Sequence, residues 1–222
     1  MIDKLAKHKT IFVTGIDTDA GKTYATAWLA KLLMDRGRSV ATQKFIQTGC
    51  IDESEDIVAH REILGIPMLP EDMDRTTAPI VFTYPASAQL AAKIDGREID
   101  LNLIDESKNI LNERYDNLFI EGAGGLMVPI TDTFFAIDYI ATRNLPVVLV
   151  TNSKLGSINH TILSLEALAA RNIQVVAVVF NHHFDNDQEI SEDTYQFIRR
   201  YIMRNLPEAL YIDLPSLVNK KR

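Results

Sequence analysis

The sequence predicts an α/β fold in which helices flank a mostly parallel central sheet. Three observations carry this. Ile11-Phe12-Val13, Val147-Val148-Leu149-Val150 and Val175-Val176-Ala177-Val178-Val179-Phe180 are continuous apolar runs, as expected of strands covered on both faces. Segments with apolar residues at helical spacing separate them, the alternation of a parallel sheet. The first run also passes through Thr14-Gly15-Ile16-Asp17-Thr18-Asp19-Ala20-Gly21-Lys22-Thr23, a glycine-rich turn that opens a helical pattern. The chain has 222 residues and is 46% hydrophobic, enough for one domain over residues 1–222 with a full core.

Buried strand, glycine-rich turn and helix start together form the setting of a phosphate-binding P-loop. Gly15 and Gly21 carry no Cβ, so the backbone can approach phosphate oxygens closely. Free N–H groups at the helix start point at the anion. Lys22 brings positive charge to the β- and γ-phosphates, and the Thr23 hydroxyl is placed to ligate Mg²⁺. The loop is one residue longer than the usual pattern. A turn that only caps a helix is the competing reading; the flanking strand and helix favour nucleotide binding and a three-layer P-loop NTPase fold.

Composition narrows the partners. The net charge is -7 and no basic face is evident, so nucleic acid is not an expected partner. An acidic protein still binds ATP where its few cations converge. Cys50 is the only cysteine, so no intrachain disulfide can form, which fits a reducing compartment. Met1 to Thr10 is polar and no apolar run is long enough to span a membrane, so a cytoplasmic protein is expected.

After the P-loop, Ala25, Trp28, Leu29, Leu32 and Leu33 share a helical face, which assigns Trp28 to the core, and Gly37 ends the helix. Ser39 to Lys44 reads as a strand. Strands of an open parallel sheet end at the ligand crevice, so Lys44 can reach the cleft of Lys22. Surface lysines at strand ends are commoner in general; the polar Gln47-Thr48-Gly49 loop favours a site residue here. Asp52 to Asp56 opens a helix to about Leu64, either as a solvated acidic cap or with one acid facing Mg²⁺. Prolines punctuate the middle around a strand at Ile80-Val81-Phe82. Leu101, Ile104, Ile110 and Leu111 mark another helix, ending near Arg114.

Leu118-Phe119-Ile120 leads into Glu121 and then Gly122-Ala123-Gly124-Gly125. An acid on a neighbouring strand completes the Mg²⁺ shell in P-loop proteins, although such a stretch can also be a plain strand-terminating turn. Lys154 to His160 opens a long helix carrying Leu163, Leu165, Ala167 and Leu168, and its start is a candidate carboxylate site. Asn181, ending its strand, suits either purine-edge recognition or a turn. A last helix runs from about Glu189 to Met203 and leads to Tyr211-Ile212-Asp213-Leu214-Pro215. The five histidines show no metal spacing with the lone cysteine.

Four stretches resemble the dethiobiotin synthetases of biotin biosynthesis, in the family's order: Thr14 to Thr23, Lys44 to Gly49, Glu121 to Pro129, and Leu155 to His160. The resemblance implies ATP-dependent closure of a ureido ring on 7,8-diaminononanoate with CO₂, through a carbamate and a carbamic-phosphoric anhydride. It implies that Lys22 holds the transferred phosphate and that Lys44 stabilises carbamate and anhydride. Thr23, Asp56 and Glu121 would surround Mg²⁺. Asp19, Ala20, Gly21, Tyr24 and Gly122, Ala123 and Gly124 would line ATP, with Asn181, His182, Pro215, Ser216 and Leu217 framing the adenine. Thr18 and Thr48, with Asp19, would meet the diamine, while Leu155, Gly156, Ser157 and Asn159 would reach a partner's substrate carboxylate across a homodimer.

The chain departs from the family pattern at Ile16, Asp19, Phe45 and Pro85 to Gln89, which bears on substrate preference. The terminal Lys220-Lys221-Arg222 is expected to be a solvated tail. Two other readings are a nucleotide-switch ATPase of the partition or septum-placing type, and a related ligase acting on another amine. The first carries a signature lysine where this chain has Asp17.

Overall fold

Strand and helix follow the hydrophobic periods of the sequence. The computed structural model describes residues 2–216. After a 3₁₀ turn at Ile2–Lys7 come β1 (Thr10–Gly15), α1 (Lys22–Met34), β2 (Val40–Lys44), β3 (Gln47–Thr48), α2 (Glu55–Leu64), α3 (Pro70–Met73), β4 (Val81–Phe82), α4 (Ala88–Ile94), α5 (Leu101–Arg114), β5 (Asn117–Gly125), α6 (Ala136–Thr142), β6 (Val147–Asn152), α7 (Ser157–Ala169), β7 (Val175–Asn181), α8 (Gln188–Asn205) and β8 (Leu210–Leu214).

The main sheet has the order β2-β5-β1-β6-β7-β8, and every neighbouring pair is parallel. β3 and β4 form a separate parallel pair. Alternate strand residues face opposite layers. Val13, Phe119, Val148 and Val150 pack with Ala25, Leu29 and Leu33 of α1. Phe12, Ile120 and Val147 pack on the other face with Ile104 of α5 and Tyr139 and Ile140 of α6. Each such side chain contributes about 1.5–3 kcal/mol through burial. The apolar layers thus fix where the carboxyl ends of the strands lie, and β1, from which the parallel sheet extends to β5 and β2 on one side and to β6, β7 and β8 on the other, marks the crevice.

Several boundaries differ from expectation. α2 starts at Glu55 rather than Asp52, because Ser54 is its N-cap and accepts from the Ile57 N–H at 3.3 Å. β5 does not turn after Glu121 but runs to Gly125, where Gly125 pairs with Gly15 after a register slip. Ile110 and Leu163, expected on buried helix faces, are exposed. Trp28 is half-buried against the α1 layer. β8 adds an edge strand beyond β7. Among the described residues no helix is long and apolar enough to cross a membrane.

Candidate active site

The sheet register brings the acids and bases together. Lys44 ends β2 directly beside Glu121 of β5, and Glu121 lies opposite Val13 of β1. Lys44 Nζ is 2.9 Å from Glu121 Oε1 and 2.5 Å from Asp56 Oδ2, and it also donates to the Gly122 carbonyl at 3.3 Å. Thr23, in the first turn of α1, places its hydroxyl 2.9 Å from both Asp56 Oδ1 and Glu121 Oε1; its single hydrogen serves one of them at a time. Lys22, one residue earlier, is buried and donates to the carbonyls of Asp17 at 3.0 Å and Thr18 at 2.9 Å. The two lysines lie close enough for their charges to repel, and with Thr23 and its two acids they border one part of the strand-end crevice, hereafter the hollow.

Burial opposes ionisation of Glu121, yet the Lys44 ammonium, backed by hydrogen bonds from His60 and Lys44, outweighs it and holds the carboxyl well below the usual range. Burial likewise works against the charge on Lys44, but Glu121 and Asp56 raise its pKa above the ordinary lysine value. Lys22 is lowered to about 8, first by burial and then by repulsion from Lys44, with Glu121, Asp56 and Asp17 offsetting part of the effect. An incoming polyphosphate would relieve that repulsion.

Gly21 supports the loop from below. Its φ is +91°, and a Cβ there would stand 2.2 Å from Asn181 Nδ2. Gly122 closes against β1, since a Cβ would meet Phe12 Cε1 at 2.8 Å. Gly124 has a φ of +66°, and its Cβ position lies 3.7 Å from Thr18 Oγ1. Ala20 is buried, Asp19 is exposed, and Tyr24 and Ala123 are half-buried. Thr48 sits half-buried on β3, past Lys44.

Other expected residues lie around this centre. Asn181 is buried; Nδ2 donates to the Ala20 carbonyl at 3.1 Å and Oδ1 accepts from the His183 N–H at 3.0 Å. Its amide ties β7 to the P-loop. His182 lies between Asp185 at 2.8 Å and Asp213 at 3.2 Å. Burial lowers the His182 pKa, but those carboxylates outweigh it and the net shift is upward. Pro215 and Ser216 follow β8 and are exposed; Leu217 and the basic tail lie outside the described residues. At the start of α7, Leu155, Gly156 and Asn159 are exposed, whereas Ser157 is buried and donates to Asn152 Oδ1 at 2.6 Å. Lys154 Nζ reaches the Asp19 carbonyl at 3.4 Å, which sets this helix start beside the P-loop.

Sequence reasoning missed His60, which sits 2.7 Å from Glu121 Oε2. The signal was present: His60 is one helical turn after Asp56, and spacing of four residues on a helix puts both on one face.

The donor set suits Mg²⁺. Thr23, Asp56 and Glu121 offer hard oxygen atoms gathered around one hydroxyl, and Mg²⁺ uses one or two carboxylates together with substrate phosphates. Among the described residues no group of three or more His, Cys, Asp or Glu side chains could hold a metal ion.

A P-loop, an acid-lined hollow and two convergent lysines define an ATP-dependent P-loop protein. A family model described as an AAA domain matches residues 9–208. The chain is 48% identical over 211 residues to the ATP-dependent dethiobiotin synthetase BioD 2 of Pasteurella multocida, covering 94% of this chain and 99% of that one. It is 44% identical over 213 residues to the ATP-dependent dethiobiotin synthetase BioD of Chlorobaculum tepidum, covering 96% and 89%. The chain belongs to the dethiobiotin synthetase family. Among solved structures, pNOB8 ParA bound to nonspecific DNA aligns with a TM-score of 0.54 at 16% identity over 97% of this chain and 88% of that one. A ParA family ATPase from Chlorobium tepidum aligns with a TM-score of 0.52 at 15% identity, covering 94% and 85%. At such identities these show the shared P-loop fold alone.

Gly21→Ala tests the loop. The left-handed backbone costs a non-glycine residue about 1–2 kcal/mol, and the clash with Asn181 adds to it. Binding of a non-hydrolysable ATP analogue, read by calorimetry, should weaken by at least about tenfold. Wild-type affinity would contradict the described loop.

Proposed function

We propose that this chain closes the ureido ring of dethiobiotin from 7,8-diaminononanoate, CO₂ and ATP, with the Lys22–Lys44 hollow as the reaction site. It is an ATP-dependent ligase that forms C–N bonds in biotin biosynthesis. The single observation that carries the site reading is the shared cluster in which Lys44, Glu121, Asp56 and Thr23 meet beside Lys22.

The chemistry begins with one substrate amine adding to CO₂, which gives a carbamate and releases a proton. The carbamate oxygen attacks the γ-phosphorus and ADP leaves. The second amine then attacks the carbamoyl carbon; the C–O bond to phosphate breaks, and phosphate departs with the proton that the amine loses. Each stage crowds anions together, so preorganised cations supply most of what the protein contributes. Lys22 binds the phosphate that moves. Lys44 orients and stabilises the carbamate and the acyl phosphate, its ammonium being held beside Thr23 by Asp56 and Glu121. Thr23, Asp56 and Glu121 would hold Mg²⁺, which when bound neutralises phosphate charge. Thr18, Asp19 and Thr48 line the diamine end, and His182 with Pro215 and Ser216 borders the nucleotide base.

A homodimer completes the reading. Leu155 is 87% exposed, Leu163 60% and Met127 51%, and Met127 and Leu163 line one groove with Ile16, Val128 and Ala167. The α7 start beyond that groove would supply Leu155, Gly156, Ser157 and Asn159 to the partner's substrate carboxylate. A cytoplasmic location and the absence of a nucleic-acid partner go with this function.

Incubation with ATP, Mg²⁺, bicarbonate and 7,8-diaminononanoate should yield dethiobiotin by mass spectrometry; no product would refute the reading. Lys44→Ala should lower turnover by at least about 100-fold while the analogue still binds, and near-normal turnover would remove Lys44 from the chemistry. Light scattering should report twice the chain mass, whereas an active monomer would exclude sites shared between chains.

A further inference from the structure

The oxygens of Glu121 have separate tasks. Oε1 faces the hollow, within 2.9 Å of Lys44 Nζ and of Thr23 Oγ1. Oε2 points away from it, to His60 Nε2 at 2.7 Å. His60 is fully buried on α2, so neither water nor substrate competes for this contact. Its other nitrogen, Nδ1, lies 3.0 Å from Thr42 Oγ1 on β2.

What lies behind Thr42 decides which way these bonds run. Arg61 Nη1 donates to Thr42 Oγ1 at 2.8 Å, and an arginine can only donate. The hydroxyl hydrogen of Thr42 is then free to point at Nδ1, leaving the ring hydrogen on Nε2, directed at Glu121. Arg61 is itself clamped by Asp72 through Nε at 2.8 Å and Nη2 at 2.7 Å. Asp72 in turn accepts from the Leu69 N–H and the Thr77 hydroxyl, each at 2.7 Å. A chain of hydrogen bonds therefore links Asp72 of α3, through Arg61, Thr42 and His60, to the back of Glu121.

We propose that His60 is a positioning residue that withdraws Glu121 Oε2 from the hollow and so makes Glu121 a one-oxygen ligand. This rests on the reading of Glu121 as a ligand of Mg²⁺. The consequence concerns cation choice. Mg²⁺ demands near-octahedral geometry and takes single oxygens, whereas Ca²⁺ accepts a carboxylate through both oxygens at longer distance. Holding Oε2 back thus favours the smaller ion. Without His60 the carboxylate can turn, offer both oxygens, and relax the preference.

The test is calorimetric titration of Mg²⁺ and of Ca²⁺, separately, into protein saturated with a non-hydrolysable ATP analogue. His60→Leu should weaken Mg²⁺ binding by about 10–100-fold, the usual range for loss of a partner behind a metal ligand, and weaken Ca²⁺ binding less. The Mg²⁺/Ca²⁺ affinity ratio therefore falls. His60→Gln, which keeps an N–H donor at the same reach, should restore most of the ratio; a merely space-filling role would not distinguish it from leucine. Thr42→Val, which removes only the contact behind the imidazole, should shift the ratio the same way by a smaller factor. An unchanged ratio in folded His60→Leu protein overturns the proposal. Should that variant fail to fold, an unchanged ratio in Thr42→Val does so. If wild-type protein takes up no Mg²⁺, or Glu121→Gln binds it normally, the metal reading itself has failed instead.

Discussion

Glu121 is a carboxylate at 1% exposure inside an apolar sheet, and the rest of the site follows from keeping it charged. An unpaired buried charge is costly, so the chain must deliver partners from several directions at once. Lys44 arrives because β2 and β5 are parallel and in register at that pair. Asp56 and His60 arrive because α2 packs beside α1, and one helical turn separates them. Thr23 arrives from the P-loop helix. A slip of one residue between β2 and β5 would turn Lys44 to the other face and leave Glu121 stranded.

The apolar layers explain why this arrangement stands at one rim. Phe12 and Val13 bury opposite faces of β1, which fixes that strand's direction and sets Gly15 at its end. Gly122 lets β5 pass close to β1 beyond the acid, where a Cβ would meet the Phe12 ring. Packing therefore supplies position, and the polar groups supply charge. Neither produces the site alone, and the anion-rich ring closure needs both.

Much of this was legible in the sequence, for physical reasons that also mark its limits. β1, β7 and α1 stand out because continuous apolar runs and a glycine-rich turn are strong local signals. Lys44 and Glu121 were legible because strand ends in a parallel sheet share a crevice. Of the β3–β4 pair, β4 was legible in Ile80-Val81-Phe82, whereas β3 was not, since its two polar residues carry no period. For Asn181 only the folded chain reveals Ala20 and His183 as partners, because they lie far away in sequence or depend on the turn that follows β7. His60 was hidden for a similar reason: a histidine without metal spacing looks idle until β5 brings Glu121 beside it. Leu163 breaks the rule that an apolar helix position faces its own core; its exposure belongs to the groove with Met127.

Central to the account is that Lys44 compensates the buried charge of Glu121. Urea unfolding of the wild type, Lys44→Met, Glu121→Gln and the double variant measures this directly, without nucleotide or metal. Lys44→Met should lose about 3–5 kcal/mol, the cost of leaving one member of a buried pair uncompensated, and the double variant should regain most of it. If the two losses simply add, the charges are independent and the account is wrong.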